Sequence, residues 1–396
     1  MNVLLKQRAR DILGHRLGSE FSVSYLDRND IFALGESWEK LSTNVIEENP
    51  YYSPTFMRAL LEHVESTCDI KALAVYKDTL LVGFLPFVID KWRWMKAAPL
   101  NRAWINPYIT LTTPLVDRDY PREVVEALVA GMNEHGAAGS FWLFDNFNLD
   151  GPVGKLFNEI LKAGNLPSKI FNEFNRPILD QGATFDEHMR AHVSKSRIKG
   201  LKRSRKRLCE QGTVSLRSYN RGPELETAVE EFLTIEASGW KGEQGTALAC
   251  EESTKAFARQ AFGSSDGKSI TRADVLYLDE KAIAVSLAIY VGKTAFTLKC
   301  AYDEEYRSYG PGLLLEQDII EDFFETRWAD RLDSAITVSG HVLQGLWSDS
   351  MRVGDLLLCA DGAKTPENFK HYAQIEKLRR LFRQKLKDII AKTRGN

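Results

Sequence analysis

Between Ala295 and Arg327 the chain runs AFTLKCAYDEEYRSYGPGLLLEQDIIEDFFETR, and this stretch restricts the possible folds more than any other. Phe296, Leu298 and Cys300 alternate with Thr297 and Lys299, the period of a half-buried strand. Leu314, Leu315, Ile319, Ile320, Phe323 and Phe324 then recur at helical spacing. Between them lies Arg307-Ser308-Tyr309-Gly310-Pro311-Gly312, an R-x-x-G-x-G turn. A glycine turn that opens a helix aims unpaired backbone N–H groups at one point, at the positive end of the helix dipole. Such a point suits a pyrophosphate. Gly310 and Gly312 place no side chain in its way, Arg307 adds a fork of donors, and Ser308 and Leu313 complete the turn. The plain alternative is a strand-to-helix turn in which glycine and proline are ordinary punctuation.

A second stretch, FLTIEASGWKGEQGTAL from Phe232 to Leu248, bears on the choice. The runs Glu236-Ala237-Ser238-Gly239-Trp240-Lys241 and Gly245-Thr246-Ala247-Leu248, with Ala301-Tyr302-Asp303 ahead of Gly310-Pro311-Gly312, carry a resemblance. Together they resemble the acyltransferase domain of cellulose- and exopolysaccharide-associated proteins, a branch of the GCN5-related N-acetyltransferase (GNAT) superfamily. The resemblance covers mainly Asp180 to Cys359, and Pro114-Leu115-Val116-Asp117 is consistent with the amino-terminal half of the same group. It implies a coenzyme A pyrophosphate site at the turn, acetyl-CoA or another acyl-CoA as co-substrate, and an amino-sugar or polysaccharide-linked amine acceptor, lipid-linked at the membrane in one version.

The rest of the chain fits an α/β (α+β) protein of two domains. Its 396 residues suffice for two domains of ordinary size, and 44% apolar with 27% charged residues is a globular balance. A net charge of -2 excludes a molecule that binds nucleic acid with its whole surface. Cys68, Cys209, Cys250, Cys300 and Cys359 are far apart, with no C-x-x-C or Cys/His spacing, which predicts reduced thiols, no metal and a cytoplasmic setting. The first 20 residues predict a short helix without a signal-peptide core, and no apolar run reaches membrane-spanning length.

The pattern predicts a hairpin at 70–89, a strand at 109–116, helices at 121–134 and 153–163 with a strand at 140–144 between them. From Asp180 the rhythm repeats: a capping box at Thr184–Glu187 opening a helix toward Arg207, helices at 223–237 and 253–262, and a hairpin at 274–291. A strand at 295–301, the glycine turn and its helix follow, then strands at 332–338 and 355–358 around a helix at 342–350. Two tandem acetyltransferase-like domains with mixed sheets are expected, similar to the peptidoglycan aminoacyl-transferases: 1–179 degenerate, 180–362 CoA-binding, and 363–396 a basic amphipathic helix. The first copy lacks a G-x-G, and Asp117 and Asp119 in its corresponding turn would repel a pyrophosphate.

Direct attack by an amine needs a base, and Glu236 is the candidate, against the common fate of a surface helix glutamate. Tyr302 or Tyr309 would protonate the departing thiolate, and Asp303 would orient a partner or bind the amine; each is otherwise a packed or capping residue. Trp240 could wall an acceptor pocket or anchor core, and Lys241 could pair with an anion or be solvated. Gly263 to Ser269 is one residue short of a P-loop, His188 and His192 lack further ligands, and His341 could reach a cleft or stand as a loop histidine in solvent. Lys195 to Arg207 holds eight bases in thirteen residues and no acid, which predicts an anionic partner: tRNA, polysaccharide, a membrane or coenzyme A itself. The last helix, capped by Thr365-Pro366-Glu367, carries a stripe of Ile375, Leu378, Phe382, Leu386 and Ile389 among ten bases between Lys364 and Arg394. That stripe predicts docking on the protein body, with peripheral contact at the inner membrane face through 365–396 as the second use.

The leading expectation is an acyl-CoA N-acyltransferase acting without a covalent intermediate. An aminoacyl-tRNA-dependent transferase of the peptidoglycan-bridge type and a non-catalytic binding module in polysaccharide assembly are the alternatives.

Overall fold

The computed structural model describes residues 20–90, 99–182, 184–263, 270–338, 342–362 and 366–394. The helix expected in the first 20 residues, the P-loop-like segment from 264 on, His341, the Thr365 cap and the outer stripe residues Leu386 and Ile389 lie outside the described residues or side chains.

The chain forms two compact units. The first takes in the described residues of Met1–Ala33, Asp69–Glu173 and Val353–Asn396; the second takes in Leu34–Cys68 and Phe174–Arg352. One crossing between the units falls at 173/174, where the sequence led us to expect a boundary at 179/180. Two exchanges were not foreseen: residues 34–68 join the second unit, and the last strand and helix join the first.

In the first unit, strands β1 (Phe21–Leu26), β2 (Lys71–Lys77), β3 (Leu80–Asp90) and β4 (Leu100–Ala103) form a meander, with β5 (Leu115–Val116) beside β3. β6 (Phe141–Asn148) runs parallel to β4, and the second half of a later strand, β13 (Asp349–Cys359), lies antiparallel along β6. The expected 109–116 strand shrinks to the two residues of β5. Helices Pro121–Glu134 and Pro152–Ala163 open on proline at the first turn, where its missing N–H costs nothing. β7 (Ser168–Asp180) passes from the first unit into the second.

In the second unit, helices Phe185–His192 and Lys195–Cys209 precede β8 (Val214–Tyr219). The expected capping box at Thr184 is present, but the single helix toward Arg207 is broken where Val193 turns extended and Ser194 caps the next helix. Helices Gly222–Ser238 and Glu252–Phe262 follow, then β9 (Thr271–Leu278), β10 (Lys281–Val291) and β11 (Thr294–Tyr302). The β9–β10 hairpin turns on Asp279 at φ 51, a left-handed position that aspartate tolerates, while its carboxylate accepts the Thr213 N–H at 2.9 Å. Helix Pro311–Thr326 and β12 (Arg331–Asp333) complete the unit, whose sheet order is β7-β12-β11-β10-β9-β8. Leu314, Leu315, Ile319, Ile320 and Phe323 of that helix are buried in the core over β9 and β10, each contributing about 1.5–3 kcal/mol.

The last helix, Pro366–Arg394, docks on the first unit's sheet. Tyr372 stacks on Phe141 at 3.8 Å between ring centroids, and Phe369 and Ala373 are buried beside it. The docking face is not the predicted stripe. Ile375 is only half-buried, while Leu378 and Phe382 point to solvent with Leu381. The buried face instead holds Glu376 and Arg379, which pair with each other. Among the described residues no helix is long and apolar enough to cross a membrane.

Candidate functional site

β11 and β12 run parallel and pair only through Thr294–Arg331, Ala295–Leu332 and Phe296–Asp333. Beyond that point they separate. Three features hold them apart. Ala335 takes a left-handed φ of 55, its N–H bonded to Asp333 Oδ1 at 2.7 Å; the Ser334 N–H bonds back to Pro177 O at 3.2 Å; and buried Arg176 donates through Nε to Ile336 O at 2.9 Å. The split leaves a cavity of about 480 Å³, lined by Thr297 to Cys300 and Tyr302 on one side and Ser334 to Ile336 on the other.

The cavity wall includes the predicted turn. Arg307, Gly310, Pro311, Gly312 and Leu313 all line it. Asp303 caps the turn by accepting the Glu305 N–H at 3.0 Å, and a short 3-10 helix Glu304–Tyr309 leads to Gly310 at φ 65. Gly310 must be left-handed, which explains glycine there. Its carbonyl accepts the Leu313 and Leu314 N–H groups at 3.0 and 3.1 Å, so the Gly312 N–H begins the helix without an intrahelical acceptor. A Cβ on Gly312 would point at Tyr302 Cδ1, 3.4 Å away, and Cys300 Sγ, 3.9 Å away, which places Gly312 at the cleft wall.

The basic helix Lys195–Cys209 packs beside this turn. Arg207 bonds Ser308 O and lies over the Tyr309 ring at 5.0 Å; Arg205 pairs with Asp318 and bonds Leu314 O. Arg197, Gly200 and Ser204 line a second hollow that shares Gly310 and Leu313 with the first. Lys199, Lys202, Arg203 and Lys206 are exposed along the same helix.

The other predicted residues gather on the opposite side of β11. Glu236, Trp240, Lys241, Cys300, Tyr302 and Glu304 line a small hollow. Glu236, 4% exposed, pairs with Lys241 Nζ at 2.7 Å and accepts the Leu248 N–H at 2.9 Å, so both oxygens hold the 239–248 loop in place. The glycines of that loop have a local reason. A Cβ on Gly242 would stand 1.8 Å from Ala237 O, a contact with the chain's own backbone. Trp240 is 52% exposed, so it is no core anchor. Asp303 pairs with Lys281 at 2.8 Å and, with Glu305, holds that amine above its ordinary range. His188 Nε2–H donates to Leu346 O at 2.8 Å, and its burial holds it below the usual histidine range. Among the described residues no group of three metal-ligating side chains occurs.

Three residues that sequence reading passed over also line the cleft. Lys299 is held below the usual lysine range by burial, against the pull of Glu236. Cys300, an exposed residue of the cleft wall, has its thiol pushed up by the low-water surroundings of the cleft and by the Glu316 carboxyl. Glu316, four residues beyond Gly312, is 8% exposed and accepts Trp347 Nε1–H at 2.7 Å; burial pushes it up to about 7. One signal was available: Glu316 falls on the apolar face of its helix, i+4 from Gly312 and i-3 from Ile319.

In the second unit a parallel strand pair splits, with a glycine turn at the mouth of the split. Residues 195–336, all within that unit, match the family model described as an acetyltransferase (GNAT) domain. Among solved structures the chain is similar to FemX, with a TM-score of 0.54 and 12% identity over 81% of this chain and 95% of that one. It is also similar to a conserved protein of unknown function from Bacteroides thetaiotaomicron VPI-5482, with a TM-score of 0.53 and 9% identity over 85% and 99%. At these identities the likeness is one of fold. No curated protein matches the chain. The fold is α/β, two tandem acetyltransferase-like domains with mixed sheets and a C-terminal helix.

Proposed function

We propose that the protein is an N-acyltransferase that moves an acyl group from acyl-CoA to an amine. The observation that carries this reading is the cleft between β11 and β12 with the Arg307–Gly312 turn at its mouth. Arg307, Ser308, Gly310, Gly312 and Leu313 hold the pyrophosphate, and the pantetheine arm lies along the β11 edge released by the split. Arg197 and the exposed lysines of the Lys195–Cys209 helix, next to the turn, suit the nucleotide phosphates.

Tyr302 lines both the donor cleft and the small hollow behind β11, which supports it as the acid between donor and acceptor. The acceptor enters that hollow, walled by Trp240. Its ammonium form replaces Lys241 at Glu236 Oε1 and yields a proton to Glu236. The neutral amine then forms the N–C bond and the C–S bond breaks; Tyr302 protonates the thiolate and takes up in its place the second proton that the nitrogen sheds as it becomes the amide. Tyr309 under Arg207 and Asp303 paired with Lys281 shape the turn in this scheme.

The acceptor class to test first is an amino sugar of an exopolysaccharide or envelope glycan precursor, as the resemblance implies. Exposed Leu378, Leu381 and Phe382 beside Lys377 and Lys385 support peripheral contact with an anionic membrane, at the inner face in a cytoplasmic setting. The exposed bases of Lys195–Cys209 favour a second reading, an aminoacyl-tRNA donor. Thiol release from acetyl-CoA in the presence of amino-sugar acceptors separates the two. Amine-dependent release is expected; tRNA gel shift without any thiol release overturns the acyl-CoA reading.

A further inference from the structure

Two polar atoms lining the donor cleft, one oxygen of Glu316 and the Ser334 hydroxyl, have no hydrogen-bond partner among the described residues. Glu316 spends Oε1 on Trp347, and among the described residues no donor reaches its Oε2. Ser334 is 3% exposed, and its Oγ likewise finds no partner among the described residues. Both residues line the same cavity, with Thr297, Lys299 and Cys300 of the β11 edge between them. Leaving a buried polar atom such as Ser334 Oγ unsatisfied is costly, and Glu316 Oε2 has hydrogen-bonding capacity to spare, so the cleft suits a ligand that supplies partners to both. An alkyl chain would strand both atoms. An arm carrying amide groups would satisfy both, since each amide offers a carbonyl and an N–H.

We propose that Glu316 contacts the donor directly, its free Oε2 hydrogen-bonded to an amide carbonyl of the pantetheine arm, and that donor affinity follows the protonation of this carboxyl. The inference rests on the acyl-CoA reading above and adds a residue and a pH dependence to it. The groups facing Glu316 are Asp274 on β9, which raises it, Trp347, whose N–H lowers it, and Cys300 on β11, whose thiol it raises in turn; Ser286 on β10 carries no charge. Asp274 is itself paired with Arg272 at 2.8 Å. The sign follows. Below a value of about 7 the carboxyl carries its proton and donates to the amide carbonyl; as the pH rises through that value it becomes a buried anion facing a carbonyl oxygen, and binding weakens.

The test is calorimetric titration of the full chain with coenzyme A between about pH 6 and 8.5 for wild type, Glu316→Gln, Glu316→Leu and Trp347→Phe. Coenzyme A phosphates titrate in every sample, so the difference between proteins isolates the residue. Wild-type affinity is expected to fall about tenfold more than that of Glu316→Gln across this range, since the amide donates at every pH. Glu316→Leu is expected to bind about tenfold more weakly at pH 6. Trp347→Phe removes the donor that favours the anion, and the wild-type transition moves to higher pH. Equal pH profiles for wild type and Glu316→Gln, or tight binding by Glu316→Leu, overturn the proposal. Wild type that binds no coenzyme A at pH 6 removes the donor reading itself, and this proposal with it.

Discussion

Gly312→Trp is expected to abolish coenzyme A binding, lowering affinity at least about 100-fold, or roughly 2.7 kcal/mol. The substituted Cβ would meet only Tyr302 and Cys300, at 3.4 and 3.9 Å, so the backbone accepts a side chain. The indole beyond it fills the mouth of a cavity of about 480 Å³, where the pyrophosphate and arm must pass. The expected signature is therefore lost binding with a nearly unchanged unfolding midpoint, read by titration and thermal denaturation on one preparation. A folded variant that binds as wild type does would place the donor elsewhere.

Glu376→Ala is expected to destabilise the first unit by about 3–5 kcal/mol. Glu376 is fully buried on the last helix; its Oε1 takes Arg379 Nη2 at 2.7 Å and stands 2.6 Å from Arg380 Nε, and its Oε2 takes Arg379 Nε at 2.8 Å. Arg380 also pairs with Asp355, while Arg102 bonds Asp145 at 2.6 and 2.8 Å and Asp90 at 3.2 Å. Against the cost of its burial, Arg102 and then Arg380 hold the Asp145 carboxyl below its ordinary range. Removing Glu376 leaves two guanidinium groups in a buried setting short of one carboxylate, a larger loss than the pair's own attraction. Denaturant unfolding and protease cleavage of 366–394 read the effect; a change under about 1 kcal/mol would mean that Phe369 and Tyr372 hold the helix unaided.

The glycine turn, the β9–β10 hairpin and the tandem rhythm were legible because each is written in local sequence: alternation, helical spacing, and Asp or Gly at forced turns. The misses share a cause. β7 opens on Ser168 to Pro177, where Ile170, Phe171 and Phe174 fall among polar residues without alternation, and β4 is four residues long; each exists through pairing with strands distant in sequence. The exchange of 34–68 and 353–394 between units is a tertiary event no local pattern records. Along the last helix, spacing marked Leu378 and Phe382 for burial, yet Glu376 and Arg379 won because each finds its counter-charge inside. In the site, Arg307, Gly310, Gly312 and Leu313, which spacing grouped, line one cavity. Spacing could not show that Glu236 would be engaged by Lys241 and Leu248, or that Glu316 would face the cleft.

The most direct measurement is isothermal titration of the wild-type chain with coenzyme A and acetyl-CoA, with tRNA as a separate titrant. Saturable binding of one donor per chain, lost in Gly312→Trp, is the predicted result. Binding of tRNA with no heat from either thioester or thiol would contradict it, and would hand the turn and its basic helix to a nucleic-acid donor.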